Sequence, residues 1–186
     1  MMERERVHEE DVGMGGWSEI TSTTQCPVAR SSAVIGDRWT LVIMRELTMG
    51  NRRFDSLQVQ TLASPQMLAN RLKRLEADGM LERRAYSAKP RRYEYRLTVK
   101  GEAFASVLLA LRAWGETWCK EPGEGIAVHH LHRTCGREVG LSGTVCEGCG
   151  EPFTMNEVTG ELSAAFARER EDRSAAARQD AETRPT

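Results

Sequence analysis

Residues 64–101 read SPQMLANRLKRLEADGMLERRAYSAKPRRYEYRLTVKG, and the order of signals within them decides the fold. Ser64 is a strong N-cap residue, and Pro65 suits the first helical position. Leu68, Leu72 and Leu75 recur at i, i+4 and i+7, which makes one apolar stripe on a helix from Ser64 to Ala77. Gly79 stands where a left-handed residue closes a helix. Two strands are expected next, Met80 to Tyr86 and Arg92 to Leu97. In the second, Tyr93, Tyr95 and Leu97 alternate with Glu94 and Arg96. The link Ser87-Ala88-Lys89-Pro90-Arg91 carries turn chemistry and positive charge.

Working outward, a short helix is expected from Val28 to Ile35, with Pro27 at its start and Gly36 breaking it. Asp37 can cap a helix from Trp39 to Met49, where Trp39, Val42, Ile43 and Leu47 follow helical spacing. A short helix fits Phe54 to Val59. Thr98 can cap a long helix, Gly101 to Trp118, with Phe104, Val107, Leu108, Leu111, Trp114 and Trp118 as its apolar set. That stripe is broader than one small domain needs, so a second surface is available to another copy of the chain.

A short helix followed by a capped helix has the layout of a helix-turn-helix, and the hairpin after it is the wing of a winged helix. The expected class is therefore α+β, mainly α. If Leu68, Leu72 and Leu75 face the core, the opposite face carries Gln66, Asn70 and Lys73, with Arg74 to one side and Met67 and Arg71 on a flank. Gln and Asn pair with adenine, and Lys or Arg with guanine or phosphate. The helix N-terminus at Ser64 suits a phosphate. Arg91 and Arg92 at the wing tip suit phosphates or the minor groove. A polar solvent face on a surface helix would look the same in isolation; the order of elements favours DNA.

Charge supports that choice. The chain of 186 residues carries 26 Lys+Arg and 27 Asp+Glu, net −1. Residues 26–101, however, hold 15 basic and 7 acidic residues, net +8, between flanks of net −4 and −5. A basic middle between acidic flanks suggests a polyanion partner.

The stretches CPVARSSAVIGDRWTLVIMRELTMGNRRFDSL (26–57), SPQMLANRLKRLEADGMLERR and KPRRYEYRLTVKG resemble the HxlR-type family of winged-helix regulators, itself similar to the MarR regulators of bacteria. The resemblance covers about residues 26–118. It implies a homodimeric transcription factor that reads a two-fold operator, more often a repressor. It places the recognition helix at Ser64 to Ala77 and dimerisation on the terminal helices, around Val28–Ile35 and Gly101–Trp118.

Cys26 precedes Pro27 at a helix N-terminus, a position that favours the thiolate, and Arg30 follows one turn later. Some members of the resembled family use a cysteine here to sense oxidants or electrophiles, which makes Cys26 a candidate redox sensor. The competing reading is a small packed hydrophobe. Cys119 is the one other cysteine outside the cluster below, and the sequence does not say whether the two pair.

A second informative stretch is HHLHRTCGREVGLSGTVCEGCGEPF, residues 129–153. His132 and Cys135 are separated by two residues, as are Cys146 and Cys149. Each second ligand is followed by glycine, which supplies the positive φ that such a turn needs. A Cys3His set is a standard structural zinc site, and its closed coordination leaves no open catalytic position. Residues 137–145 can form a short hairpin, completing a zinc-ribbon-like module with zinc as its cofactor. A redox Cys-x-x-Cys or a disulfide are the rivals, without a thioredoxin-like context around Cys146.

The expected organisation is a flexible arm (1–25), a winged helix-turn-helix and dimerisation domain (26–120), a zinc-ribbon-like module (128–158) and a polar tail (159–186) that is a weak helix or disordered. No run of about 18 apolar residues occurs, so no membrane partner is expected. The N-terminus lacks the apolar segment of a secretory signal, so a cytoplasmic, nucleoid-associated location is expected. No catalytic triad, phosphate loop or paired carboxylates stands out, and the chain reads as a regulator, not an enzyme. A second reading keeps the winged helix as a dimer scaffold, with the module and tail as a protein-interaction adaptor.

Overall fold

The computed structural model describes residues 23–89, 91–140 and 145–183. The expected arm falls mostly outside these residues. The chain divides into two compact units, Met1–Arg38 and Trp39–Thr186.

In the first unit, helix α1 spans Pro27–Ile35, with Cys26 as an extended N-cap residue and proline in the first turn. The helix ends at Gly36, whose N–H donates to the Ser32 carbonyl at 2.8 Å. A Cβ there would lie 2.3 Å from that oxygen, so only glycine permits this ending. No residue of α1 is buried.

The second unit begins along α2 (Arg38–Thr48), which buries Thr40, Ile43, Met44, Leu47 and also Glu46. Helix α3 (Phe54–Thr61) ends at Leu62, which takes the left-handed conformation (φ 58°). The chain then enters α4 (Pro65–Ala77), where the Ser64 hydroxyl accepts the Met67 N–H at 3.3 Å. Leu68, Leu72 and Leu75 are buried, joining Ile43, Met44, Leu47 and Leu57 in one core. Gly79 adopts φ +69° as the spacing predicts.

The wing is the antiparallel pair β1 (Leu81–Ala88) and β2 (Arg91–Leu97), in register Leu81↔Leu97 with an irregularity between Ala85 and Ser87. Arg53 bridges Glu94, and the Tyr95 N–H donates to the Arg52 carbonyl at 2.8 Å, so the segment before α3 lies along the wing. The expected single helix Gly101–Trp118 is in fact two, α5 (Val99–Ala103) and α6 (Ala105–Trp118). At Phe104 the ladder tightens: its N–H donates to Gly101, three residues back, at 3.2 Å.

Beyond α6 lies the small module. Strand β3 (Val128–His132) pairs antiparallel with β4 (Val158–Leu162), in register Val128↔Leu162. The sequence reading placed most of β4 in the tail; the pairing moves it into the module. The tail itself is an ordered helix, α7 (Ala164–Thr183), and of the two alternatives read from its composition the helix is the one formed. Two tertiary ties explain why a helix without an apolar stripe is held. Arg170 makes a two-pronged pair with the buried Glu46, both contacts 2.7 Å, and the Gln60 amide donates to the Arg170 carbonyl and the Ser174 hydroxyl, both 3.0 Å.

Candidate nucleic-acid interface and metal centre

The leucine stripe of α4 fixes which of its residues face outward. Ser64, Gln66, Asn70, Lys73 and Arg74 are exposed, while Met67 and Arg71 are half-buried on the flanks. The Gln66 amide donates to the Asn70 carbonyl oxygen at 3.2 Å, so these two side chains share one edge of the helix. Arg74 stands 3.9 Å from Asp78. The Ser64 hydroxyl is already engaged as the cap.

The wing adds arginine. Arg91 and Arg92 are exposed at the start of β2. Arg83 stacks over the Tyr93 ring at 4.4 Å and Arg91 over the same ring at 5.5 Å. Arg53 stacks over Tyr86 at 5.1 Å. Arg52, Arg53, Arg83 and Arg84 were absent from the sequence-derived set. Their signal was the doublet itself: arginine pairs occur at 52–53, 83–84 and 91–92, and the strand pairing brings all three to one sheet.

Helix α6 presents two apolar faces. Ala105 and Leu109 are buried against the rest of the unit, whereas Val107, Leu111, Trp114 and Trp118, spaced i, i+4, i+7 and i+11, stand exposed. Cys119 follows as the exposed C-cap residue. In the first unit Cys26 is exposed in the single chain. The Arg30 guanidinium donates to the Thr24 carbonyl at 2.6 Å.

The four metal-ligand candidates converge. His132 Nδ1, and the sulfurs of Cys135, Cys146 and Cys149, all lie within 4.8 Å of one another. His132 Nδ1 is 3.6 Å from Cys135 Sγ and 3.4 Å from Cys149 Sγ, and Cys135 Sγ is 3.7 Å from Cys146 Sγ. A disulfide needs an S–S distance of about 2.05 Å, so the cysteines are held as separate thiols. Two turns with the same hydrogen bonding present the ligands. The His132 N–H donates to the Arg137 carbonyl and the Cys146 N–H to that of Glu151; Gly136 N–H returns to His132 and Gly150 N–H to Cys146. Both glycines have positive φ, +68° and +77°. Burial pushes the Cys146 thiol up, but bonds from the Cys149 and Gly148 backbone outweigh it and bring the value down to about 7. A thiol ready to ionise between backbone N–H groups suits a cation.

The module packs on α6. Leu109 forms a cluster with Val139, Cys146, Phe153 and Val158, and Arg112 donates to the Gly140 carbonyl at 3.3 Å. No helix among the described residues is long and apolar enough to cross a membrane.

A capped helix on a leucine stripe, followed by an arginine-bearing wing, defines a winged helix-turn-helix transcriptional regulator. The chain belongs to the HxlR-like helix-turn-helix family, whose model matches residues 34–122. It is 37% identical over 140 residues to an uncharacterised HTH-type transcriptional regulator of Mycobacterium tuberculosis, Rv3095, a match covering 75% of this chain and 87% of the relative. It is 35% identical to the HTH-type transcriptional regulator YodB of Bacillus subtilis, over 55% of this chain and 93% of that one. The crystal structure of PA1607 is similar at a TM-score of 0.60 and 33% identity, covering 77% of this chain and 97% of that one. The relatives are transcription regulators, and the chain is a DNA-binding regulator, not an enzyme.

Proposed function

We infer that the protein is a homodimeric repressor that binds a two-fold DNA operator. The observation that carries this reading is the outward face of α4: Gln66, Asn70 and Lys73 stand exposed on a helix whose other side is anchored in the core. In a major groove these side chains reach base edges, with Met67, Arg71 and Arg74 at the margins and the Ser64 end toward a phosphate. Arg91 and Arg92, joined by Arg52, Arg53 and Arg83, meet the flanking backbone. The exposed row Val107, Leu111, Trp114 and Trp118 supplies the dimer seam.

A structural zinc ion fits the Cys3His set. Tetrahedral zinc, with bonds of about 2.3 Å to sulfur and about 2.05 Å to nitrogen, sets ligand edges of about 3.8 Å for S–S and about 3.6 Å for S–N. Three of the six edges, at 3.7, 3.6 and 3.4 Å, lie close to those lengths, and all six are within 4.8 Å. Bound there, zinc would tie the two turns together in a module with few large apolar residues, and no chemistry is asked of it.

Cys26 is the sensing thiol of this reading: exposed, at a helix N-terminus, and open to oxidants or electrophiles. Its modification would release DNA.

A salt series of gel shifts on promoter DNA tests the core of the proposal. If about six phosphates are neutralised, the log–log slope is about −5. Asn70→Ala and Lys73→Ala are expected to weaken specific binding more than non-specific binding; equal losses on both would overturn base readout. Cys26→Ser is expected to hold DNA in the presence of oxidant, and a variant that still releases it removes the sensor role.

A further inference from the structure

A cavity of about 250 Å3 lies where α2, α6, β3 and α7 meet. Met49, Leu108, Val128, Met155 and Phe166 are among its walls. Three of these walls, Val128 on β3, Met155 before β4 and Phe166 on α7, lie beyond the winged helix. The space is therefore a product of the extension docking on α6 and α2.

Its polar groups are two arginines, Thr48, His130 and one acid. Arg112 and Arg45 line it, and the single carboxylate, Glu116, is already engaged: Lys120 lies 2.6 Å from it and the Ala127 N–H donates to it at 3.3 Å. The Arg112 guanidinium is only partly used. Nη1 donates to Gly140, while Nε and Nη2 are buried with no hydrogen-bond partner among the described residues. Its nearest acid, Glu138, stands 3.8 Å from Nη2, beyond hydrogen-bond reach. Arg45 Nε is buried and unpartnered in the same way. Burial pulls the Arg112 guanidinium down from its usual value, with Glu116 and Glu138 opposing. A buried donor left unsatisfied is costly, and the fork of a guanidinium matches a planar carboxylate.

We propose that this cavity is a small-molecule site for a compact carboxylate with an apolar body, its anionic group taken by Arg112 and its body packed against Met49, Leu108, Met155 and Phe166. A bare inorganic anion would leave Met49, Leu108, Met155 and Phe166 uncovered. The unpartnered donors disfavour a neutral hydrocarbon, which would leave them orphaned. The ligand would touch α2 of the DNA-binding domain, the module and the tail helix at once, so its binding would tighten their mutual packing.

The test uses the full metal-loaded chain with 13C-methyl methionine, titrated with benzoate, benzyl alcohol and inorganic phosphate. Met49 and Met155 line the cavity, whereas Met44 and Met80 are buried in the core and serve as references. Benzoate is expected to shift the Met49 and Met155 methyl signals saturably and leave the references in place. Benzyl alcohol, and benzoate on Arg112→Gln, are expected to bind at least about tenfold more weakly, as loss of a charge-assisted bond requires. Phosphate is expected to shift neither. If Arg112→Gln unfolds, Met49→Trp keeps both guanidiniums and fills the cavity from its rim, and it is expected to abolish the Met155 shift. The proposal is overturned if benzoate leaves Met49 and Met155 unmoved, if benzyl alcohol or phosphate binds as well as benzoate, or if the variant that folds binds benzoate like the parent. No DNA enters the assay, so its outcome is independent of operator binding.

Discussion

Replacing Arg170 by methionine removes the partner of a carboxylate that has no access to solvent. Glu46 is fully buried and accepts from Arg170 twice at 2.7 Å, from Arg45 at 2.7 Å and from Asn51 at 3.2 Å. Breaking one side of a buried pair costs about 3–5 kcal/mol when the remaining charge is stranded. Arg45 and Asn51 remain, so the lower end applies, about 3 kcal/mol. In a chain of this size each kcal/mol moves the melting temperature by about 2–4 °C, giving a fall of about 6–12 °C. Urea unfolding of the parent, Arg170→Met, Glu46→Leu and the double variant closes the cycle. Each single change is expected to destabilise, and the double variant to lie within about 1 kcal/mol of the parent, since an apolar replacement of both partners is close to neutral. Hydrogen exchange in Arg170→Met is expected to quicken across Ala164–Thr183. A loss below about 0.5 kcal/mol, the worth of an ordinary surface pair, would refute the reasoning. So would a double variant as unstable as the two single losses combined. The same pair sets a pH dependence. Burial pushes the Glu46 carboxyl up, but the bonds from Arg170 and Asn51 and the Arg45 charge outweigh it and hold it below the usual carboxylate range. Its stabilisation is complete above the unfolded value of about 4.3 and is lost as the pH falls through the lower folded value. Arg170→Met is expected to flatten that acid limb.

Three further outcomes are expected. Elemental analysis should find one zinc per chain, and Cys149→Ser or strong chelation should remove it with loss of the β3–β4 amide protection; a metal-free chain with the same protection would count against the centre. Leu111→Glu should convert a dimer to a monomer in light scattering at unchanged helicity, because the residue is exposed in the single chain. Leu62→Asn should stabilise the chain by up to about 1 kcal/mol, since Leu62 is exposed at φ 58° and a left-handed conformation costs a branched residue about 1–2 kcal/mol; a loss of stability in thermal melts would show that the leucine side chain contributes there.

The parts legible in the sequence were those whose physics is local. Ser64-Pro65, the leucine stripe and Gly79 lie within one helix and its caps, and each does there what its residue type dictates. The convergence of His132, Cys135, Cys146 and Cys149 was legible because each pair sits on one tight turn. The break at Phe104 had no proline or glycine to mark it. Strand β4 was missed because Val158 alone of its five residues is buried, and its partner lies some thirty residues upstream. The docking of α7 left no apolar periodicity to read. It rests on Phe166 between the guanidiniums of Arg45 and Arg170, at 5.8 and 5.6 Å, and on polar bonds to Glu46 and Gln60. Glu46 itself reads as one more surface acid until its partner, 124 residues later, is in place. A deletion of residues 122–186 would consequently strand that acid and uncover Leu109. Single substitutions on the outer surface of α7 are the cleaner probe of an adaptor role.

The separation between Glu46 and Arg170 also orders events during synthesis. When α2 leaves the ribosome, Glu46 has Arg45 and soon Asn51 beside it, but Arg170, which supplies the two-pronged pair, has not been made. Closing a loop of that length in one step is entropically slow, whereas a module already packed on α6 would hold Ser163 at its native place, where its N–H donates to the Ala127 carbonyl at 2.9 Å. The search then shrinks to the few residues between β4 and Arg170. On the proposed zinc site, a chain made without metal would reach this last step without a preformed module to guide it.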